Sequence, residues 1–247
     1  MSDGLKRSLL VIGLALLLPF ALGPSDIKSL IIEAVEDSYV VTDIADDEDT
    51  QGFRDQNYGS LEFLKTWYAW GVVGDERLIS IDLIKFDLSE LKDRDIESVS
   101  LQLFARTANL AESARLVDIH RVRDPWSQSD VTFNTRPAWD PAPVATAAIY
   151  GAGGWYSWNV TGTTIAGIRN GEVSFAVALR TIAEETEEQV VFVSTEGVAR
   201  APRLLVTYEA PGTAVPWWWW AIGAAVVVVV GGGAFVIGRR RQPAPRG

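Results

Sequence analysis

The residues in this chain best suited to chemistry are carboxylates, guanidinium groups and flat aromatic rings. Asp43, Asp46, Asp47 and Asp49, with Glu48 among them, crowd one stretch reading DIADDEDTQGFRD, residues 43–55. Carboxylate oxygens at that density are hard ligands of the kind calcium prefers. The spacing is not that of an EF-hand, whose glycine and closing glutamate are out of place here, so a solvated acidic loop is the alternative. Two aromatic runs stand out, Trp67-Tyr68-Ala69-Trp70 and Trp155-Tyr156-Ser157-Trp158. On a strand, alternation sends one set of rings inward and leaves the other facing out or lining a groove. Exposed flat rings stack on the CH faces of sugars, and Tyr68 and Trp70 are the positions expected to do so. Arg121 and Arg123 beside such a groove would meet acidic sugars through bidentate contacts. The competing reading of each ring is core packing, which ten tryptophans partly demand.

Other chemistries find little support. His120 is the single histidine, and its neighbour Ile119 points to the opposite face of a strand. Cysteine is absent, which removes a thiol nucleophile and every cysteine-ligated zinc site. No G-x-S-x-G elbow marks a serine nucleophile, and no phosphate-binding glycine loop occurs, since Gly151 to Gly154 lead into Trp155 and not a helix. Paired carboxylates can hydrolyse a glycoside, but with 32 Asp and Glu residues their presence discriminates nothing. The residues therefore point to binding without catalysis and to no cofactor, with calcium the one ion they suit. Asn159-Val160-Thr161 is also a glycosylation sequon.

Charge and hydropathy say where such groups must work. The formal net charge is −10 at pH 7. Lys6, Arg7, Arg239, Arg240, Arg241 and Arg246 all lie near the ends, so the middle is more acidic still. A field of that sign repels nucleic acid and anionic lipid. Lys6 and Arg7 precede an apolar run over residues 9–22, the pattern of a secretory signal within residues 1–25, with an uncleaved anchor as the alternative. Residues 217–238 read WWWWAIGAAVVVVVGGGAFVIG and carry no charge, which is long enough to cross a bilayer of ~20 residues' thickness as a helix. Tryptophans at one end suit the headgroup boundary, and the arginines within the basic tail, residues 239–247, suit the cytoplasmic side. Residues 210–216 (APGTAVP) are then a tether, and residues 26–209 an extracellular domain on a single-pass membrane anchor.

Within that domain short alternating apolar segments recur between turn residues, the pattern of an all-β sandwich or barrel. Ile84, Phe86 and Leu88 share a face, with Lys85 and Asp87 on the other. Val99, Leu101 and Leu103 repeat the pattern, as do Phe175, Val177 and Leu179; Val191 and Val193; and Leu204, Val206 and Tyr208. Turns are expected at residues 57–60, 151–154 and 170–171, and one helical turn at residues 163–168.

The order of these segments resembles the DNRLRE-domain family, also catalogued as carbohydrate-binding module family 96 and related to the disaggregatase group. AVEDSYV (residues 34–40) is similar to its opening strand, followed by Asn57-Tyr58-Gly59-Ser60. LIKFDL (83–88), with Lys85, Phe86 and Asp87, resembles its central strand, and SVSLQLF (98–104) the next. Trp126, then Val131 to Pro137 with Thr132, Asn134 and Pro137, resembles its tryptophan followed by a V-T-W-N-x-x-P segment. WNVT (158–161), FVSTE (192–196, ending in Glu196) and PRLLVTY (202–208, opening on Pro202 and Arg203) close the series. Phe133 stands where tryptophan is usual, Gln128 where an acid often follows the tryptophan, and the acidic loop looks like an insertion. The resemblance implies a jelly-roll-like β-sandwich, with Trp126 plugging one end of it and Asn134 and Pro137 shaping the turn. Arg136 is expected to stack on an aromatic neighbour or pair with an acid.

The reading is a membrane-anchored, outward-facing module that binds a polysaccharide or other glycan and contacts lipid only through residues 217–238. The alternatives are a structural or adhesive surface protein with a protein or envelope partner, and an accessory part of a disaggregatase-type polysaccharide-degrading enzyme. Topology is directly measurable. Protease added to intact cells should digest residues 26–216 and spare a small piece that includes residues 239–247. Digestion of an epitope placed after Gly247, with the rest of the chain surviving, reverses the orientation.

Overall fold

The computed structural model describes residues 27–43, 51–70, 77–109, 114–180 and 188–210. They are all-β. Eleven strands run β1 (Ile27–Glu33), β2 (Glu36–Asp43), β3 (Phe63–Trp70), β4 (Arg77–Asp87), β5 (Asp95–Asn109), β6 (Arg115–Arg121), β7 (Ala145–Ile149), β8 (Gly154–Asn159), β9 (Glu172–Leu179), β10 (Glu188–Val193) and β11 (Arg203–Glu209). The helix Thr161–Ile168 and a single turn at Gln51–Arg54 are the α-helical pieces among the described residues. All strand pairings are antiparallel, in the order β1-β11-β5-β10-β3-β4-β9-β6-β7, with β2 added to β4 and β8 to β5.

Two long strands curl this sheet into a sandwich-like body. Along one edge β4 pairs with β2, from Glu36 opposite Lys85 to Asp43 opposite Leu78. Its other edge pairs with β3 over Arg77–Ser80 and then with β9 over Asp82–Asp87. The neighbour changes at Asp82, where β3 peels away. There the buried Asp82 carboxylate accepts a hydrogen bond from the Thr66 hydroxyl and another from the Lys65 backbone N–H. A carboxylate at this fork satisfies donors that the departing strand would otherwise bury unpaired. The strand β5 forks in the same way, with β8 on one edge and β11 followed by β10 on the other.

The main core lies between the curled faces. Ile84, Phe86, Leu88, Val99, Leu101, Leu103, Phe175, Val177, Leu204, Val206 and Tyr208 all belong to it, as the alternation predicts. Phe86 meets Phe175 edge-on at 6.2 Å between ring centroids, and Trp158 meets Phe192 in the same way at 6.3 Å. The Trp158 indole N–H donates to the Val117 carbonyl at 3.0 Å, so this large ring is buried with its one polar atom satisfied. In β10 the phase differs from expectation. Val190 and Phe192 face the core, while Val191 and Val193 are half-buried on the other side. The run Val190-Val191-Phe192-Val193 is apolar at consecutive positions, so alternation alone does not choose its inner face.

Lys85 also departs from its expected place on an open polar face. It is buried, because a second layer covers that side of the sheet. Leu83 and Val40, which point away from the main core, join Ala176, Val122, Trp126 and Val131 in a separate apolar cluster, with Ile81, Phe133 and Trp139 packed against it. Trp126, 9% exposed, thus covers the back of β2, β4 and β9 and does not plug an end of the sandwich. Arg136 stacks on Phe133 at 3.5 Å and donates to its carbonyl, as one of the two expected contacts requires. Pro137 is buried, and Asn134 is fastened to Asp55 at 2.7 Å.

Deleting a buried tryptophan of this kind typically removes about 3–5 kcal/mol of stability. Trp126→Ala should therefore melt early in a thermal scan of the full chain. Melting at the parent temperature would show that the back layer contributes little to the fold.

Candidate functional site

The segment that carries Trp126 contributes to two clefts, residues 121–125 to one and residues 127–129 to the other. Its anchorage comes first. The Lys85 ammonium donates to the Trp126 carbonyl oxygen, pairs with Glu36 at 3.0 Å, and lies 4.8 Å from the centroid of the indole. A nearly buried cation is tolerable only with such partners. The next anchor is Gln128. Its side-chain N–H groups donate to the Gly59 carbonyl and to Glu196, and its side-chain oxygen accepts from the Asp37 N–H at 3.1 Å. Its own backbone N–H donates to Glu36 at 2.8 Å, and its carbonyl accepts from Asn57 at 2.7 Å. Asn57 reaches the Val131 carbonyl as well, also at 2.7 Å.

The loop at residues 57–60 must come very close for this to happen. A Cβ added at Gly59 would stand 2.4 Å from the Gln128 carbonyl oxygen. Glycine is the residue that permits that approach. Behind the loop the Tyr58 ring stacks on Tyr39 at 4.3 Å.

The first cleft has a volume of about 120 Å³ and is lined by Arg121, Arg123, Asp124, Asn170, Glu172 and Ser174 among others. Arg123 is committed to Asp140, and Asp124 accepts from the Ala138 N–H at 3.1 Å. Arg121 is half-buried, and its guanidinium makes no hydrogen bond or ion pair with any described residue. His120, next to it, is occupied structurally, with Nδ1 donating to the Asp140 carbonyl at 2.9 Å. The second cleft, about 470 Å³, is lined by Asn57, Gly59, Ser60, Ser127, Gln128, Ser129 and Glu196.

The expected ligand residues are thus brought together in part. Arg121 and Arg123 share one cleft. Tyr68 does not join them: it is 8% exposed, on the buried side of β3 with Leu64 and Thr66, and offers no open face. The half-buried ring of that run is Trp67, with the Lys65 ammonium 3.7 Å from its centroid. The side chains of Trp70 and Asp43 lie outside the described residues, as do Asp46, Asp47 and Asp49. Among the described residues no three acids or histidines gather to hold a metal ion. In the second aromatic run Trp158 is core, while Trp155 is half-buried against Phe104, with Arg203 4.0 Å from its centroid. The sequence places residues 57–60 only as a turn and gives no binding role to Gln128, Asn57 or Ser60; the close approach at Gly59 emerges from the structure.

The described residues form a curled, sandwich-like β module whose surface loops are tied together around small polar clefts. The chain matches carbohydrate-binding module family 96 over residues 31–208, and it belongs to that family. No curated protein matches it significantly. No helix among the described residues is long and apolar enough to cross a membrane, and residues 217–238 lie outside them.

One electrostatic feature beneath the second cleft has a measurable outcome. Burial pushes the Asp37 carboxyl up to about 7, and the nearby Glu196 charge adds to this, although the Thr195 N–H donating at 2.7 Å opposes it. Asp82 is likewise raised, by burial first. A folded-state value above the unfolded 3.8 means that the stability linked to Asp37 is fully present below pH 3.8 and is lost as pH rises through about 7. Denaturant titrations of the full chain should show stability falling from about pH 4 to about pH 7 and levelling off above, by a few kcal/mol at most. Asp37→Asn should flatten that slope. A flat profile in the parent would contradict the raised value.

Proposed function

We propose that this protein is a non-catalytic carbohydrate-binding module that engages acid-bearing sugars through the Arg121 cleft, held outside the cell by residues 217–238. Family membership supports the carbohydrate class. The observation that carries the site is Arg121 itself, a half-buried guanidinium without a partner among the described residues, facing a cleft that also offers Asn170, Glu172 and Ser174. An unpaired donor set of this kind favours a planar, two-oxygen acceptor such as a sugar carboxylate. Amide, hydroxyl and carboxylate groups around it complement the hydroxyls of the same ring. Arg123 is a positioning residue in this reading, since its charge is already answered by Asp140. The jelly-roll arrangement expected of the family suits the role, because it leaves loops free to vary while the strands hold their ends.

The test is retention of the full chain on immobilised uronic-acid oligosaccharides. A charged hydrogen bond is worth about 1.5–3 kcal/mol, so Arg121→Met should weaken retention roughly tenfold or more with the melting temperature unchanged. Arg121→Lys should restore it incompletely, because a single ammonium lacks the fork. Unchanged retention in Arg121→Met would remove this cleft from the reading.

A further inference from the structure

We infer that the second cleft is a separate sugar subsite, selective for residues without acid groups, which rests on the carbohydrate reading and extends it. The argument begins with which groups are already spent. Every polar atom of the Gln128 side chain and both hydrogen-bonding ends of the Asn57 amide are engaged in holding the walls together. These two residues are scaffold. What remains for a ligand is the exposed Ser60 hydroxyl, the Ser127 and Ser129 hydroxyls, which lie 2.9 Å from one another, and the carboxylate oxygen of Glu196 that Gln128 does not use. Gly59 keeps the floor low where a side chain would collide.

That inventory accepts more hydrogen bonds than it donates, and no Lys or Arg lines the cleft. Glu196 faces it directly and supplies the negative charge, since Glu36 is paired with Lys85 and Asp37 meets Gln128 only through its backbone N–H. The one nearby cation, Lys85, is turned beneath Trp126 and answered by Glu36. A carboxylate or sulfate brought here would meet like charge, whereas sugar hydroxyls would donate into it. The volume falls within the roughly 300–1,000 Å³ typical of small-molecule sites, so a sugar ring fits. The cleft is also preorganised, since its walls come from three separate segments tied through Gln128, and little ordering is left to be done on binding. The Arg121 cleft differs in presenting one unanswered guanidinium beside Asp124 and Glu172, so the two subsites differ in the charge they offer a ligand.

The experiment measures retention of the full chain on two immobilised oligosaccharide series, one neutral and one uronic, with melting temperature as the fold control. Ser60→Trp and, from the opposite wall, Ser129→Trp both fill the second cleft from exposed positions. Each should reduce retention on the neutral series at least tenfold and leave the uronic series unchanged, while Arg121→Met does the reverse. Parent binding to the uronic series but not the neutral one would overturn the second subsite and leave the first reading standing. Neutral retention insensitive to both tryptophan variants would also overturn it. Failure of the parent to bind either series would bring down the carbohydrate reading itself, and this subsite with it.

Discussion

The contact on which the rest of the surface depends is that of Lys85 with the Trp126 carbonyl, the Trp126 ring and Glu36. A lysine in the middle of a strand would ordinarily carry its charge to water. Here the strand lies between two apolar layers, and the ammonium is surrounded by the partners a buried cation needs: a carbonyl, a carboxylate and an aromatic face. Removing any partner leaves a buried charge uncompensated. The consequence is a fixed point in this segment, to which the Gln128 hydrogen bonds add further ties. Everything that lines either cleft from this segment lies within a few residues of that point.

The same logic appears at the strand forks. A sheet that curls must let strands part, and each parting exposes donors and acceptors to an apolar interior. At the β4 fork the solution is Asp82, which collects an N–H and a hydroxyl from β3. Its burial raises its pKa, so it sits awkwardly as an anion. Asp37, diagonal to it across β2 and β4, is in the same position. The module thus keeps two acids where geometry needs acceptors.

Much of the fold was legible because period-two alternation is a direct consequence of strand geometry, and the core positions of β4, β5, β9 and β11 follow it. Legibility failed wherever a second layer intervened. Lys85 reads as solvent-facing from its neighbours, since nothing local announces the covering loop. Tyr68 and Trp70 share a parity with Leu64 and Thr66, but a run of three rings in four positions hides which parity is inward. Val191 and Val193 fail for the same reason, since four apolar residues in a row end that strand. At the site, Arg121 and Arg123 were recognisable by chemical type. Gln128 was not, because its importance lies in five hydrogen bonds to residues far away in the chain, and a glutamine among serines carries no sign of that.

The position of Trp126 in the chain, between residues that line one cleft and residues that line the other, has a consequence for how such a module can diverge. The residues that pin the segment, Glu36, Lys85, Trp126 and Gln128, are largely withdrawn from the ligand, while Ser60, Arg123 and Ser129 are exposed and contribute little to the pinning. Drift at the exposed positions of one wall leaves the anchor intact, and with it the other wall. Descendants of this sequence can therefore exchange one recognition surface while inheriting the other unaltered, so that specificity evolves by halves.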